Sequence, residues 1–228
     1  MLSSAWAEKK LGYRFDEPAL LDAALTHRSA GSNNYERLEF LGDAILDFVI
    51  AELLFREFPT ASEGDLSRYR AALVSGGMLA EVAAELSLGD QLNLGGGELK
   101  SGGHRRGSIL SDALEALFAA VYLDGGLDAA RALIERLFAG RLRRLPDADA
   151  LKDPKTRIQE DLQARGAKLP VYTLEEVSGE AHDQWFVASC EIEAAGVKTF
   201  GEGSSRRRAE QEAAQAALAA LGRGNGEK

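Results

Sequence analysis

YERLEFLGDAILDF, residues 35–48, decides how the amino-terminal half is read. Taken as a helix at ~100° per residue, it turns Leu38, Leu41, Ile45, Phe48 and the following Val49 to one side. Glu36, Glu39, Asp43 and Asp47 fall into a narrow sector elsewhere, and Arg37 lies on a different face where it cannot neutralise them. Like charges at this spacing each cost about 0.2–0.5 kcal/mol. A solvated polar face is the common explanation for such a row, but a divalent-cation site ranks above it here. Phe40 sits beside Glu36 and Asp47, away from the apolar side. An aromatic there is either covered by another helix of the same domain or anchors a subunit interface, where aromatics are enriched.

A second acidic pair strengthens the metal reading. In SILSDALEALFAAVYLDGG, residues 108–126, Asp112 and Glu115 are adjacent on one helical face and embedded among apolar residues. An uncompensated carboxylate is expensive in such surroundings. Acidic pairs from two helices can enclose a hard, oxygen-preferring ion, Mg2+ above all, with Mn2+ as a substitute. Ligands for softer metals are lacking, because His27 and His104 are isolated in sequence and suit structural hydrogen bonds better.

The rest of the chain divides by texture. Its 228 residues are 45% hydrophobic and 28% charged, which is ordinary globular composition. From about residue 3 to 140, apolar residues recur at helical spacing, punctuated by Pro18, Pro59 and glycines. RRLPDADALKDP reads as a polar linker. Beyond it come a helix (KTRIQEDLQARG), three alternating strands (PVYTLEEVS, QWFVASCEIEA, VKTFGEG) and an Ala-rich helix, an α-β-β-β-α order. The expected architecture is two domains: an all-α domain over residues 1–145, a linker over 146–154 and a small α+β module over 155–224.

The opening residues lack the apolar stretch of a signal peptide, and no run approaches the ~20 apolar residues that span a bilayer. A cytoplasmic protein without a membrane partner is expected. The single cysteine, Cys190, excludes an internal disulfide and a cysteine-rich zinc site, and its place in a strand suits a buried, inert thiol. The net charge of −9 argues at first sight against a polyanionic partner, but binding follows local fields rather than the total. Residues 1–150 carry 16 basic against 23 acidic side chains and residues 151–228 carry 11 against 13, so the acidity belongs mainly to the helical half.

YERLEFLGDAIL, SEGDLSRYRAALVS, GGGELKSGG and SILSDALEALFAAVYLD together closely resemble bacterial ribonuclease III, over nearly the whole chain from Trp6 to Leu221. The resemblance implies an endonuclease for double-stranded RNA whose metal-ligand carboxylates correspond to Glu39, Asp43, Asp112 and Glu115. It further implies that Glu36 and Glu63 lie near the cut sites, and that Phe40 plugs a cavity of a partner in a homodimer. Mg2+-dependent hydrolysis leaving 5'-phosphate and 3'-hydroxyl ends with short 3' overhangs is implied, with structured precursors such as ribosomal RNA as substrates. GGGELKSGG is not a P-loop, since Leu99 rather than glycine precedes Lys100 and no strand leads into it, and it is read as a loop.

The carboxy-terminal order, with GEGSSRRRAEQEAAQAAL, resembles the double-stranded RNA-binding domain. Arg206, Arg207 and Arg208 open a helix, so three cations and the positive helix end point to one region and suit phosphates. By resemblance, Gln159 and Gln163 match the contacts to a first minor groove, and His182 matches the loop that reaches a second. The wider module family often has lysine where this chain has Glu210, a departure that predicts modest phosphate affinity. Two competing classes remain. A non-catalytic RNA-binding scaffold is expected to lack a carboxylate, yet all six are present; a small-molecule metallohydrolase would act with Mg2+ but without RNA.

Overall fold

A proline and two serine caps set where three helices of the first half begin. The computed structural model describes residues 2–180 and 183–224, so His182 lies outside the described residues. Pro18 opens α2 (Pro18–Ala24), which follows α1 (Leu2–Trp6) and one π-helical turn. Ser62 and Asp65 form a reciprocal capping box on α4 (Glu63–Leu73). Ser75 then caps α5 (Gly76–Glu85), so the long periodic run from residue 62 to 86 is two helices rather than one.

At the centre, α3 (Glu36–Glu57) packs directly against α7 (Gly107–Leu142). α3 buries Gly42, Ile45, Leu46, Val49, Ile50 and Leu54. Phe48, expected on that apolar side, is instead 52% exposed and lies under the Arg131 guanidinium. α7 is covered on nearly all sides over Ala116–Val121 and breaks at Gly126, whose φ of 81° only glycine adopts without strain. Just before that break, Asp124 accepts hydrogen bonds from the Tyr13 hydroxyl at 2.7 Å and from the Asp16 and Glu17 amides. The amino-terminal strap is thereby fastened to α7.

The glycine-rich segment differs from the loop expected of it. It folds into a short helix, α6 (Gly96–Lys100), followed by a 3-10 turn over Gly103–Arg105. Glu98 explains this, since it takes an ion pair from Arg106 while its carbonyl accepts from the Ser101 hydroxyl, closing the segment on itself.

A second compact unit begins at Asp149. Asp153 caps α8 (Pro154–Ala164), and an antiparallel sheet follows in the order β1 (Val171–Ser178), β2 (Trp185–Ile192), β3 (Val197–Gly203). A bulge between Leu174 and Glu176 shifts the register of β1. α9 (Arg206–Gly224) and α8 cover one face, closing a core of Ile158, Leu162, Cys190, Ile192, Ala213, Ala214 and Ala217. A methyl group at Gly201 would overlap the Ala213 amide, so glycine there and alanine on α9 let helix and strand lie in direct contact. Cys190 is fully buried, and burial pushes its thiol pKa up, as suits an inert packing residue.

Candidate functional site

Gly42 is where α3 and α7 cross. A methyl group on it would run into the Glu115 carbonyl oxygen, so only glycine permits so close an approach of the two backbones. Glu39 precedes Gly42 by nearly one turn and Asp43 follows it directly, while Asp112 and Glu115 occupy successive turns of α7. The crossing therefore gathers acids from both helices. Ligand oxygens of Glu39, Asp112 and Glu115 all lie within 4.8 Å of one another, and each residue is half-buried. Asp43 is more exposed and stands outside that trio, but its charge acts strongly on Glu115. Glu36 is exposed one turn earlier, paired at 3.4 Å with Arg28. Glu63, at the start of α4, is exposed and accepts from the Ser67 hydroxyl; it is not part of the cluster.

Crowded carboxylates perturb one another. Burial first, then the charges of Asp43, Asp112, Glu39 and Asp47, raise the Glu115 pKa to about 8. Burial also raises Asp112, and burial together with Asp112 and Glu36 raises Glu39. Two residues that sequence reasoning missed border the group. Arg28 is a nearby cation opposing these shifts, and the buried Tyr35, packed edge-to-face on His27, has its hydroxyl pKa driven up by burial and by Asp112 and Glu39. A single buried tyrosine just before a helix has no periodic signature, so no pattern pointed to it. His27 is structural: its Nδ1 accepts from the Ser29 amide at 3.1 Å.

These shifts have a measurable consequence. Glu115 titrates near 4.5 when unperturbed and at about 8 in the fold. The contribution of Glu115 to stability is therefore fully present below about pH 4.5 and is lost as pH rises through about 8, where the fold must hold a charged carboxylate. In chelator, thermal melts of the first unit should decline over this window by on the order of 2 kcal/mol, the partial hydration of the site limiting the effect. Mg2+ should restore the loss. A metal-free melting point independent of pH across this interval would contradict the assigned repulsion.

In the second unit, Gln159 and Gln163 are exposed one turn apart on α8, and Arg206 and Arg207 are exposed at the start of α9. Ser205 accepts from the Arg208 amide and ends the chain's extended course there. Glu210 does not face outward. It is 8% exposed and bridges Lys155 and Arg206.

Comparison with known proteins decides the family. A model described as ribonuclease-III-like matches residues 17–142, and one described as a double-stranded RNA binding motif matches 154–221. The chain is 59% identical over 215 residues to Ribonuclease 3 of Nitrosococcus oceani, covering 93% of this chain and 92% of that one. It is 54% identical to Ribonuclease 3 of Vibrio cholerae, covering 94% and 96%. The chain belongs to the ribonuclease III family.

As a family member it is an endoribonuclease, a hydrolase, with a helical nuclease domain followed by a double-stranded RNA-binding domain. Its first unit is similar to the crystal structure of the nuclease domain of ribonuclease III from Campylobacter jejuni, at 44% identity and a TM-score of 0.61, covering 64% of this chain and all of that one. A second structure of that Campylobacter domain is described for flexibility in the region involved in its dimer formation. In the present chain, Phe40 is 82% exposed on α3, beside a hollow lined by Leu20, Ala23, Leu38, Leu41 and Leu123 together with the polar Ser32, Asn33, Asn34, Glu36 and Arg37. Among the described residues no helix is long and apolar enough to cross a membrane.

Proposed function

We propose that this chain hydrolyses both strands of duplex RNA in the cytoplasm as a Mg2+-dependent homodimer. The gathering of Glu39, Asp112 and Glu115 beside Asp43, in a chain that also carries a double-stranded RNA-binding domain, supports the reading. The donor set fits the ion. It is all carboxylate oxygen, without thiol or imidazole, and Mg2+ needs only a few such ligands because it keeps several waters. Glu39, Asp112 and Glu115 would hold it, with Asp43 completing the set from the open side. When bound, Mg2+ supplies an activated water and neutralises charge at the departing 3' oxygen.

The chain's own residues do the rest. Glu39 and Glu115, whose pKa values are raised without a cation, give up their protons as ligands. Gly42 holds the two helices at the separation the ligand set needs. Glu36 and Glu63 act near the cut sites, and Arg28 steadies Glu36. Gln159, Gln163, Arg206 and Arg207 meet the grooves and phosphates, and by family resemblance His182 matches a contact to the second minor groove. Products carry 5'-phosphate and 3'-hydroxyl ends with short 3' overhangs, from ribosomal and other structured precursors.

The test is direct. A long RNA duplex, an RNA single strand and a DNA duplex are incubated with Mg2+ or with chelator, and the fragment ends are analysed. Only the RNA duplex with Mg2+ should be cut. Cutting in chelator, or equal cutting of the single strand, would reject the proposal. Binding of the duplex should weaken steeply with salt, because phosphate contacts release counterions.

Bulge and hollow lie side by side on one face, which suits a two-fold interface in which each Phe40 enters the other copy's hollow. Phe40→Asp should convert the dimer to monomer in sedimentation, and duplex cleavage should fall at least about tenfold, because a charge buried against Leu20, Leu38, Leu41 and Leu123 and beside Glu36 costs several kcal/mol. A variant that still sediments as a dimer would remove Phe40 from the interface.

A further inference from the structure

Glu210 stands where the wider module family often carries lysine, among residues expected to touch phosphate. A carboxylate on that surface would repel RNA if it faced outward. Instead the side chain turns inward. Its Oε2 accepts from Lys155 Nζ at 2.5 Å and its Oε1 from Arg206 Nε at 2.8 Å, leaving the carboxylate only 10% exposed. Burial opposes ionisation, but the bonds from Lys155 and Arg206 outweigh it and hold the Glu210 carboxyl below its ordinary range.

The two cations come from different helices, while Glu210 shares α9 with Arg206. Lys155 begins α8, and its ammonium also lies 4.4 Å from the centre of the Tyr172 ring. Arg206 begins α9 and remains 62% exposed, because only its Nε is drawn inward. A second link runs parallel to the first: Gln211, next to Glu210, donates to Asp153 at 2.5 Å, and Asp153 is the residue that caps α8. The starts of the two helices are thus fastened together by Glu210 and Gln211. Those helices carry the residues expected to reach groove and phosphate respectively.

We propose that Glu210 is a positioning residue for RNA binding, which pins Arg206 by its Nε so that the terminal guanidinium nitrogens face a phosphate and which fixes the start of α8 relative to α9. The inference rests on the reading of Arg206 as a phosphate contact. An arginine anchored at Nε has fewer conformations to lose when it meets phosphate, and its remaining fork of donors still suits the planar anion. The carboxylate therefore aids the binding of a polyanion, the opposite of what its charge alone implies.

Full-length protein in chelator, titrated with a fluorescent RNA duplex over a range of salt, tests this with four variants. Arg206→Ala should weaken binding about fivefold and lower the salt slope by about one. Glu210→Gln should also weaken binding about fivefold, with a shallower slope, although it removes a negative charge. The double variant should bind no worse than about twofold below the weaker single variant, since both act through one contact. Glu210→Asp keeps the charge but is too short to span both cations, and should lose about threefold; it carries the test if Glu210→Gln fails to fold.

Tighter binding or a steeper slope for Glu210→Gln would show that the carboxylate is only an electrostatic penalty. Fully additive losses, or parent-like binding by Glu210→Asp, would equally overturn the proposal. An Arg206→Ala variant that binds like the parent would remove the phosphate contact, and with it the role of Glu210, while the parent's own affinity for duplex RNA tests the wider reading separately.

Discussion

Replacing Glu115 by glutamine should abolish cleavage of duplex RNA while leaving its binding in chelator within about twofold of the parent. Glutamine keeps the size of the side chain and removes the charge, at the residue whose carboxylate oxygen lies within 4.8 Å of those of both Glu39 and Asp112. If Glu115 is a ligand of a site that supplies several kcal/mol of charge stabilisation, its loss should lower the rate on the order of a thousandfold or more. Asp43→Asn should behave alike if Asp43 completes the set. The fold itself should gain, because the group whose pKa is raised to about 8 by burial and neighbouring anions no longer ionises. A quenched-flow or gel assay at saturating Mg2+ reads the first effect and a melt at pH 8 the second. Cleavage at the parent rate would remove Glu115 from the chemistry, and a lower melting point would contradict the proposed strain.

Gly42→Val should be the most damaging substitution outside the carboxylates. Any side chain there meets the Glu115 backbone, which cannot rotate aside as a flexible side chain would. Overpacking of this kind costs on the order of 3 kcal/mol, and a shift of ~10 °C in the melting point of the first unit follows. Cleavage should be lost along with it, since separating α3 from α7 pulls Glu39 away from Asp112 and Glu115. Gly77 is the control: a methyl group added there meets nothing nearby, so Gly77→Ala should leave stability and cleavage close to the parent. Equal tolerance at both glycines would refute the role assigned to the crossing.

The sequence carried the periodic features of this molecule well. Apolar spacing located α3 and α7, and alternation located the three strands to within two residues. The acidic row on α3 was legible because like charges on one face demand an explanation within the helix itself. What escaped detection depends on contacts between distant segments. Gly42 is unremarkable until α7 lies across it, and Tyr35 is one aromatic among several until burial places it beside Asp112. Phe48 reads as core by spacing, but α7 supplies Arg131 rather than an apolar cover. The fold of GGGELKSGG turns on the Glu98–Arg106 pair, which no helical propensity of a glycine-rich run reveals. Glu210 reads as a repulsive surface acid because sequence shows its charge but not the direction of its side chain.

The knot at Asp124 bears on how much of the chain the nuclease domain needs. The matched family region starts at residue 17, after Tyr13 and Asp16, yet both are hydrogen-bonded to this carboxylate. A chain trimmed to that boundary would remove two of the donors to an acid on the very rod that bears Asp112 and Glu115, so its minimal functional unit begins earlier than the matched family region alone implies.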